Sequence, residues 1–592
     1  MPHKKPNTPL GKFLVWRAKH ISKPRFVLIL SVLLGFFSGL VAVFIKNTTH
    51  YIQGLLTSEF FKDYYNPYYF VFPFIGILIT LLLKKYLIRH KVRDGISSTL
   101  YTISRRSGII LPHRMYGSVI TSIFTVGFGG SVGLEGPAVS TGAALGSNLG
   151  KAMHLNYKTR ILLISCASAG AIAAMFNAPI AAIIFTIEIF SLDLVFSSLI
   201  PLLLASVSGA VTSLLLLGND YLFEFKHIAQ LEISDVPFYI LLGVLCALAS
   251  VYFTRIHFWL NEKLSKIKGA FGSLAFGSLA LGVLIFIIPP LYGEGYDTIN
   301  HLLNGSATDI VSGSFLYEYL ESHWIVLALV SGLVLLKVFA ASFTISAGGV
   351  GGYFAPTLFM GAGLGFVFSA LFSYSPYFDL PTNNFTLVGM AGMMAGILHS
   401  PLTAIFMIAE ITGGYQLFVP LMLVSAISFL VTKRFNEHSI YTEKLAKRGD
   451  LLTHNKDQVI LTLLKLDKVL ECNFTTIKGE MNMGELVKVV STCTRNIFPV
   501  VNEKNELKGI LTLDDFRHLM FDQTLYENTF VYELMSPPPA TIERSDTMET
   551  VMKKFQDCGA WNLPVVDNGH YLGFVSKSKL FSVYRRKLIE FS

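Results

Sequence analysis

The 592-residue chain is 52% hydrophobic and only 15% charged, the composition of a membrane protein with room for more than one domain. Its net charge of +9 comes with no basic-aromatic groove or reader motif, which sets nucleic-acid binding aside and leaves membrane topology and lipid contact as its meaning. Cys166, Cys246, Cys472, Cys493 and Cys558 show neither metal-ligand nor redox spacing and read as reduced structural thiols.

The first 25 residues are basic and polar, with Lys4, Lys5, Lys12, Arg17, Lys19, Lys23 and Arg25, and read as cytoplasmic rather than as a cleavable signal. Uncharged runs follow at Phe26–Ile45 and Tyr64–Leu83, each long enough for a bilayer-spanning helix. The weakly basic connection near Glu59, Lys62 and Asp63 is expected outside, and the basic stretch after Leu83 inside. Arg93-Asp94-Gly95-Ile96-Ser97 opens a helix-like stretch to Arg106 that Asp94 could cap.

The stretch Gly129–Gly146 carries one acid, Glu135, among glycines and small residues. A lone carboxylate in membrane-grade sequence is costly and marks a functional site. Glycines allow close backbone approach, and Pro137 suits the first turn of a helix. Amides at a helix start hold an anion, so Glu135 could occupy such a site and leave it when displaced or protonated. A tight helix contact with a satisfied acid is the structural alternative.

Ile161–Ile187 and Leu194–Gly218 are further apolar runs, Asn219–Val236 is a polar loop, and Pro237–Thr254 and Gly269–Gly293 are spans. The second half then repeats the first. Pro137, Gly142, Ala143, Leu145 and Gly146 recur as Pro356, Gly361, Ala362, Leu364 and Gly365, an offset of 356 − 137 = 219. Ala169, Gly170, Ala173, Pro179, Ile183 and Glu188 recur as Ala391, Gly392, Ala395, Pro401, Ile405 and Glu410, an offset of 401 − 179 = 222. Repeats with glycine- and proline-interrupted apolar segments point to a transport site at their interface. Val338–Phe378 is too long and glycine-rich for one plain span, so broken or re-entrant helices are expected there. Leu380–Ala409 and Ile411–Thr432 complete the apolar runs. The counterpart of the Glu135 loop, Gly348–Pro356, has no acid, so its amides can face an anion directly.

Beyond Tyr441 the composition becomes soluble in character. Phe498-Pro499-Val500-Val501 leads to Gly509-Ile510-Leu511-Thr512, and Leu563-Pro564-Val565-Val566 leads to Gly573-Phe574-Val575-Ser576. With helix-like stretches at Asp514–Met520 and Met548–Gln556, this reads as two small paired α/β modules.

The runs GSVGLEGP at 130–137, GGYFAP at 351–356 and PLTAIFMIAEIT at 401–412, followed by Tyr441, resemble the CLC family of chloride channels and proton-coupled chloride transporters. The resemblance runs from about residue 20 to 448, and the tail resembles a tandem CBS pair. It implies a homodimer with one pore per subunit and two inverted repeats whose helix N-termini meet around dehydrated anions. It implies that Glu135 is the external gate, competing with chloride and accepting protons. The amides of Tyr353 and Phe354 would hold the central anion, the Tyr441 hydroxyl would donate to it, and the glycine turns at Gly133, Gly136 and Gly352 would add donors. Read without the family, Tyr441 is an interfacial aromatic anchor.

Two departures stand out. Asp94 occupies the position where the family often places an anion-binding serine, so it must turn away or pair with Arg93 to spare chloride. Proton-coupled members usually carry an inner glutamate just after the acid matching Glu188, and here that residue is Ile189, which cannot relay a proton. Glu188 is therefore either a substitute on the proton path or, with Glu410, a structural cap. In the tail, the ribose-contacting pattern is present at Thr512 and Asp515 but half absent at Ser576, which is followed by Lys579. An adenine nucleotide site and a modulating scaffold both remain open.

The expected fold is thus an all-α polytopic membrane protein, a CLC-like inverted repeat of tilted and broken helices, followed by a cytoplasmic α/β CBS pair. Its expected parts are a basic segment 1–25, a transport domain 26–448 with repeats of roughly 26–218 and 237–448, a linker 449–463, and CBS modules 464–528 and 529–592. The expected activity is passive, channel-like chloride conduction in the plasma membrane, with chloride and lipid as partners and no required cofactor. A chloride/proton antiporter is the alternative. A nucleotide-sensing receptor is a weaker one, and an enzyme lacks any nucleophile–base set or metal cluster.

Overall fold

The computed structural model describes residues 8–56, 68–90, 95–190, 196–218, 223, 229–267, 269–311, 322–448, 461, 464 and 466–591. The chain forms two compact units, Met1–Leu451 and Leu452–Ser592.

The first unit is helical. The basic segment forms α1 (Pro9–His20), whose first turn is capped by the Thr8 hydroxyl accepting from the Gly11 amide at 3.2 Å. Then come α2 (Lys23–Leu56), α3 (Tyr68–Leu82), α4 (Gly95–Arg105), α5 (Arg114–Gly127) and α6 (Glu135–Ala152). These are followed by α7 (Tyr157–Phe176), α8 (Pro179–Phe190), α9 (Phe196–Leu217), α10 (Val236–Ser265), α11 (Ala270–Ile287) and α12 (Tyr296–Leu303). The unit closes with α13 (His323–Ser346), α14 (Phe354–Ser373), α15 (Thr382–Leu398), α16 (Pro401–Ile411), α17 (Phe418–Phe435) and α18 (Glu443–Ala446). Among the described residues, eight helices are long and apolar enough to cross a membrane. Half of the polar loop expected at 219–236 lies outside the described residues.

The long apolar runs break where the backbone has a local reason to turn. Ile161–Ile187 divides between α7 and α8 at Asn177, which holds a left-handed φ of 53° two residues before Pro179. Leu380–Ala409 divides between α15 and α16 at His399, φ 56°, two residues before Pro401. Val338–Phe378 divides between α13 and α14 through a turn at Gly348, φ 108°. The run expected to span Ile411–Thr432 starts its helix only at Phe418, and α10 runs well past Thr254. Neighbouring helices touch backbone to backbone. A Cβ on Gly209 would collide with the Gly170 carbonyl, and one on Gly361 would lie 2.5 Å from Met390 Cα. Apolar tails gain little by leaving lipid for protein, so such close contact carries much of the packing.

The second unit holds two sheets, in the orders β1-β7-β6-β5 and β2-β3-β4. The strands are β1 (Leu470–Glu471), β2 (Ile477–Lys478), β3 (Ile497–Val501), β4 (Leu507–Thr512), β5 (Ile542–Glu543), β6 (Asn562–Asp567) and β7 (His570–Ser576). The modules divided at 528/529 each borrow from the other. Residues Leu464, Leu466 and Val469 pack into the second core, and β1 pairs with β7. Val531 packs into the first core, and Ser536 exchanges two 2.9 Å backbone bonds with Ile510 of β4. Short edge strands leave unpaired backbone groups, and trading them covers both edges.

Candidate anion pathway and gate

The two glycine turns predicted to face each other do so through a reciprocal set of bonds. The Gly133 amide donates to the Gly352 carbonyl at 2.9 Å, and the Gly352 amide donates to the Gly133 carbonyl at 2.7 Å. The Thr125 hydroxyl accepts from the Val350 amide at 3.1 Å, and the Thr344 hydroxyl accepts from the Ser131 amide at 3.1 Å. Each pair is its own image under one offset: 352 − 133, 344 − 125 and 350 − 131 all equal 219. When residue i contacts j and the mate of j contacts the mate of i, the halves are related by a two-fold axis.

The helices that leave these turns, α6 and α14, therefore start side by side. Gly136 and Gly352 allow it: a Cβ on Gly136 would lie 3.0 Å from Gly352 Cα, and one on Gly352 would lie 2.9 Å from the Gly136 nitrogen. Gly95, at the start of α4, presses on the Gly136 carbonyl in the same way and brings a third helix start to the site. Unsatisfied amides at helix starts favour an anion between them.

Glu135 stands at the first position of α6 and is 1% exposed. Its Oε1 accepts a hydrogen bond from the Tyr296 hydroxyl of α12. Its Oε2 folds back over Gly133, where any Cβ would collide with it. The amides of Glu135 and Ala355 face the carboxyl group, yet Oε2 closes no bond of good geometry with them. A buried carboxylate held on one oxygen and loose on the other is restrained without being locked.

Tyr353, Phe354 and Tyr441 are all nearly inaccessible. The Tyr353 and Tyr441 rings lie 6.2 Å apart, and Phe354 packs on Phe176 at 4.8 Å. Tyr441 is thus an interior residue beside the start of α14 rather than an interfacial anchor. Tyr353 is fixed from behind, its hydroxyl 3.0 Å from His257 Nε2, while His257 Nδ1 lies 3.0 Å from the Ser342 hydroxyl. Asp94 and Arg93 lie outside the described residues.

Glu188 and Glu410 are spent on each other's helices. Glu188 accepts from the amides of Leu402 at 3.0 Å and Thr403 at 2.8 Å, and from the Thr403 hydroxyl, at the start of α16. Glu410 accepts from Ile180 at 2.9 Å and Ala181 at 2.8 Å, at the start of α8. Carboxylates satisfy the orphan amides of a first turn and its dipole together. Ile189 follows Glu188 on the buried face of α8.

Sequence reasoning missed Glu294, Tyr296, Lys337 and His257. Glu294 accepts the Leu134 amide at 3.0 Å. The buried Lys337 donates to the Gly293 carbonyl at 3.2 Å and sits 4.5 Å above the Phe359 ring. The signal was available: Lys337 is the one Lys, Arg, Asp or Glu within α13. Counting uncharged runs places such residues at run edges and hides them.

In the tail, Asp515 Oδ2 accepts from the Thr512 amide and hydroxyl, both at 2.7 Å, so this pair caps its own short helix. Ser576 instead donates to Glu471 at 2.7 Å, and Glu471 pairs with Arg495 at 2.8 Å.

Residues 75–433 match the family described as voltage gated chloride channel, and residues 467–522 and 531–586 each match a CBS domain. The chain is 26% identical to chloride channel protein CLC-f of Arabidopsis thaliana over 72% of its own length and 60% of that protein's. It is 24% identical to the H(+)/Cl(-) exchange transporter ClcA of Vibrio cholerae over 71% of its length and 89% of that protein's. It superposes on a slow cyanobacterial Cl-/H+ antiporter with a TM-score of 0.62 at 17% identity, covering 73% of this chain and 99% of the other.

Proposed function

We propose that the chain, which belongs to the voltage-gated chloride channel family, passes chloride across a membrane between the starts of α6 and α14, with Glu135 as the gate. The observation that carries this reading is the reciprocal Gly133–Gly352 bridge, which sets two amide-rich helix starts beside one loosely held buried acid. Chloride would displace the carboxylate from amides that either anion can occupy, or enter once the carboxyl is neutral.

The transport reading is channel-like. Ile189 offers no proton relay, and Glu188 is already bonded to three donors at the start of α16. The antiporter is the second reading, favoured by the resemblance to an exchange transporter. The chain is read as a plasma-membrane homodimer with both termini cytoplasmic, its tail modulating flux. An adenine nucleotide would rest on Thr512 and Asp515, because Lys579 stands where a second acid would.

Two liposome measurements test this. Glu135→Gln is expected to hold the pathway open and flatten its pH dependence, and unchanged flux and pH response would defeat the gate assignment. A chloride gradient is expected to drive little uphill proton movement through the parent chain. Steady proton pumping would replace the channel with the antiporter.

A further inference from the structure

The gate leaves the buried acid Glu294 without a role. Glu294 sits in the turn between α11 and α12 and is 6% exposed. Its Oε1 holds the amide of Leu134, the residue before the gate, at 3.0 Å. Two residues on, Tyr296 donates its hydroxyl to Glu135 Oε1. The three residues 294–296 thus grip the gate at both its backbone and its carboxyl group.

The charged and titratable groups around Glu294 come from four helices: Lys46 and His50 of α2, Glu135 of α6, Tyr296 and the exposed Asp297 of α12, and Lys337 of α13. Lys337 Nζ bonds the carbonyl of Gly293, so the nearest buried cation is anchored beside the acid. A cavity of about 10 Å³ is bounded by Lys46, His50, Met175, Phe176, Glu294 and Tyr296. That is room for about one water, with several polar partners in reach. It shares Lys46, His50, Met175 and Phe176 with a cavity of about 240 Å³ that continues past Asn177 and Ser213. Lys46 and His50 lie on the half of α2 far from the basic N-terminal segment, which is the outer half in the proposed orientation.

We propose that Glu294 is a second proton-binding group of this transporter, loading the Glu135 gate from the outer cavity through Tyr296. The inference rests on the reading of Glu135 as the gate. A proton from the cavity binds the Glu294 carboxylate. It then passes through one water to the Tyr296 oxygen while the Tyr296 hydroxyl gives its own proton to Glu135 Oε1. Tyr296 ends neutral, Glu294 returns to its ionised form, and Glu135 becomes neutral and releases its hold on the helix starts. While ionised, Glu294 also repels the charge of Glu135, so the two acids are coupled as well as connected.

The test is chloride efflux from liposomes holding the full chain, recorded against external pH. Without the charge at 294, Glu294→Gln should need a lower external pH for the same flux, its midpoint moving acidward by about one unit. Glu294→Asp should restore the parent profile, which a merely structural carboxylate would not link to pH. Tyr296→Phe should slow the rise of flux after an acid step by about a hundredfold, the low end of what a positioned proton donor supplies. A Glu294→Gln profile that overlays the parent overturns the inference. If that variant is not recovered folded, an unchanged rise time in Tyr296→Phe overturns it instead. Glu135→Gln separates the two claims. Persisting pH dependence there defeats the gate, whereas a flat response beside an unchanged Glu294→Gln defeats only the relay.

Discussion

The turns that open α6 and α14 share one backbone and differ in one side chain. Each begins on a left-handed glycine, Gly129 at φ 94° and Gly348 at φ 108°, and each is met by a threonine hydroxyl from the other half. Yet Glu135 and Phe354 occupy the same repeat position, since 354 − 135 = 219. One half therefore presents amides covered by an anionic side chain, and the other presents amides beside an aromatic ring. The lesson is that the backbone builds the same turn twice, while one side chain sets an acid over only one of them.

The largest effect should come from erasing that difference. Glu135→Ala leaves both turns without an acid and should give flux that no longer falls at neutral external pH. Next comes the backbone they share. Gly352→Ala puts a Cβ 2.9 Å from the Gly136 nitrogen, a neighbour fixed in a helix. Overpacking of this kind costs about 1–3 kcal/mol, and here it also parts the two helix starts. Thermal unfolding in detergent should show the first loss and liposome flux the second. A variant with the parent's melting temperature and flux would mean the turns need not touch.

The same two-fold logic predicts a matched pair of smaller losses. Glu188→Gln and Glu410→Gln each replace a charged cap with a neutral one, at about 1–3 kcal/mol when the freed amides stay buried. Glu188→Gln should cost more, because Glu188 also accepts the Thr403 hydroxyl. Differential scanning of the two variants checks the order. If Glu188→Gln spared the melting temperature but removed proton transport, the acid would belong to a proton path.

How much of this was legible in advance follows from the distance over which each cause acts. The break within the glycine-rich run Val338–Phe378 and the lone Glu135 are local, and residue type alone marks them, whereas the breaks at Asn177 and His399 fell inside uncharged runs read as single spans. The repeat offsets of 219 and 222 in the sequence already pair the two halves. The reciprocal caps of Glu188 and Glu410 were readable as an option but not as a geometry, since each acid lies more than 200 residues from the amides it bonds. Glu294 lies in a short turn and Tyr296 at the first position of α12, and both acquire meaning only when that turn folds over Glu135. The exchange of strands between the tail modules was invisible for the same reason: Leu470 and Val575 pair across a hundred residues.

The smallest effect belongs to the tail, where an acid also meets a helix start but near solvent. Partial burial pushes the Glu471 carboxyl up, but the Ser576 hydroxyl and Arg495 outweigh it and hold it below the usual carboxylate range. A group depressed in the folded state adds stability above its unfolded pKa and loses it as pH falls through the folded value. The β1–β7 pairing should therefore weaken in acid. Glu471→Gln should remove that acid sensitivity at a cost of at most about 1 kcal/mol, as for other solvent-near ion pairs. Hydrogen exchange at the Val575 amide, followed from neutral to acid pH in the full chain, measures it. Protection that falls equally in parent and variant would assign the acid lability to another group. The contrast with Glu135 is then one of surroundings: a carboxylate with solvent and Arg495 beside it trims a strand edge, whereas Glu135 is sealed at a helix start with no solvent to share its charge.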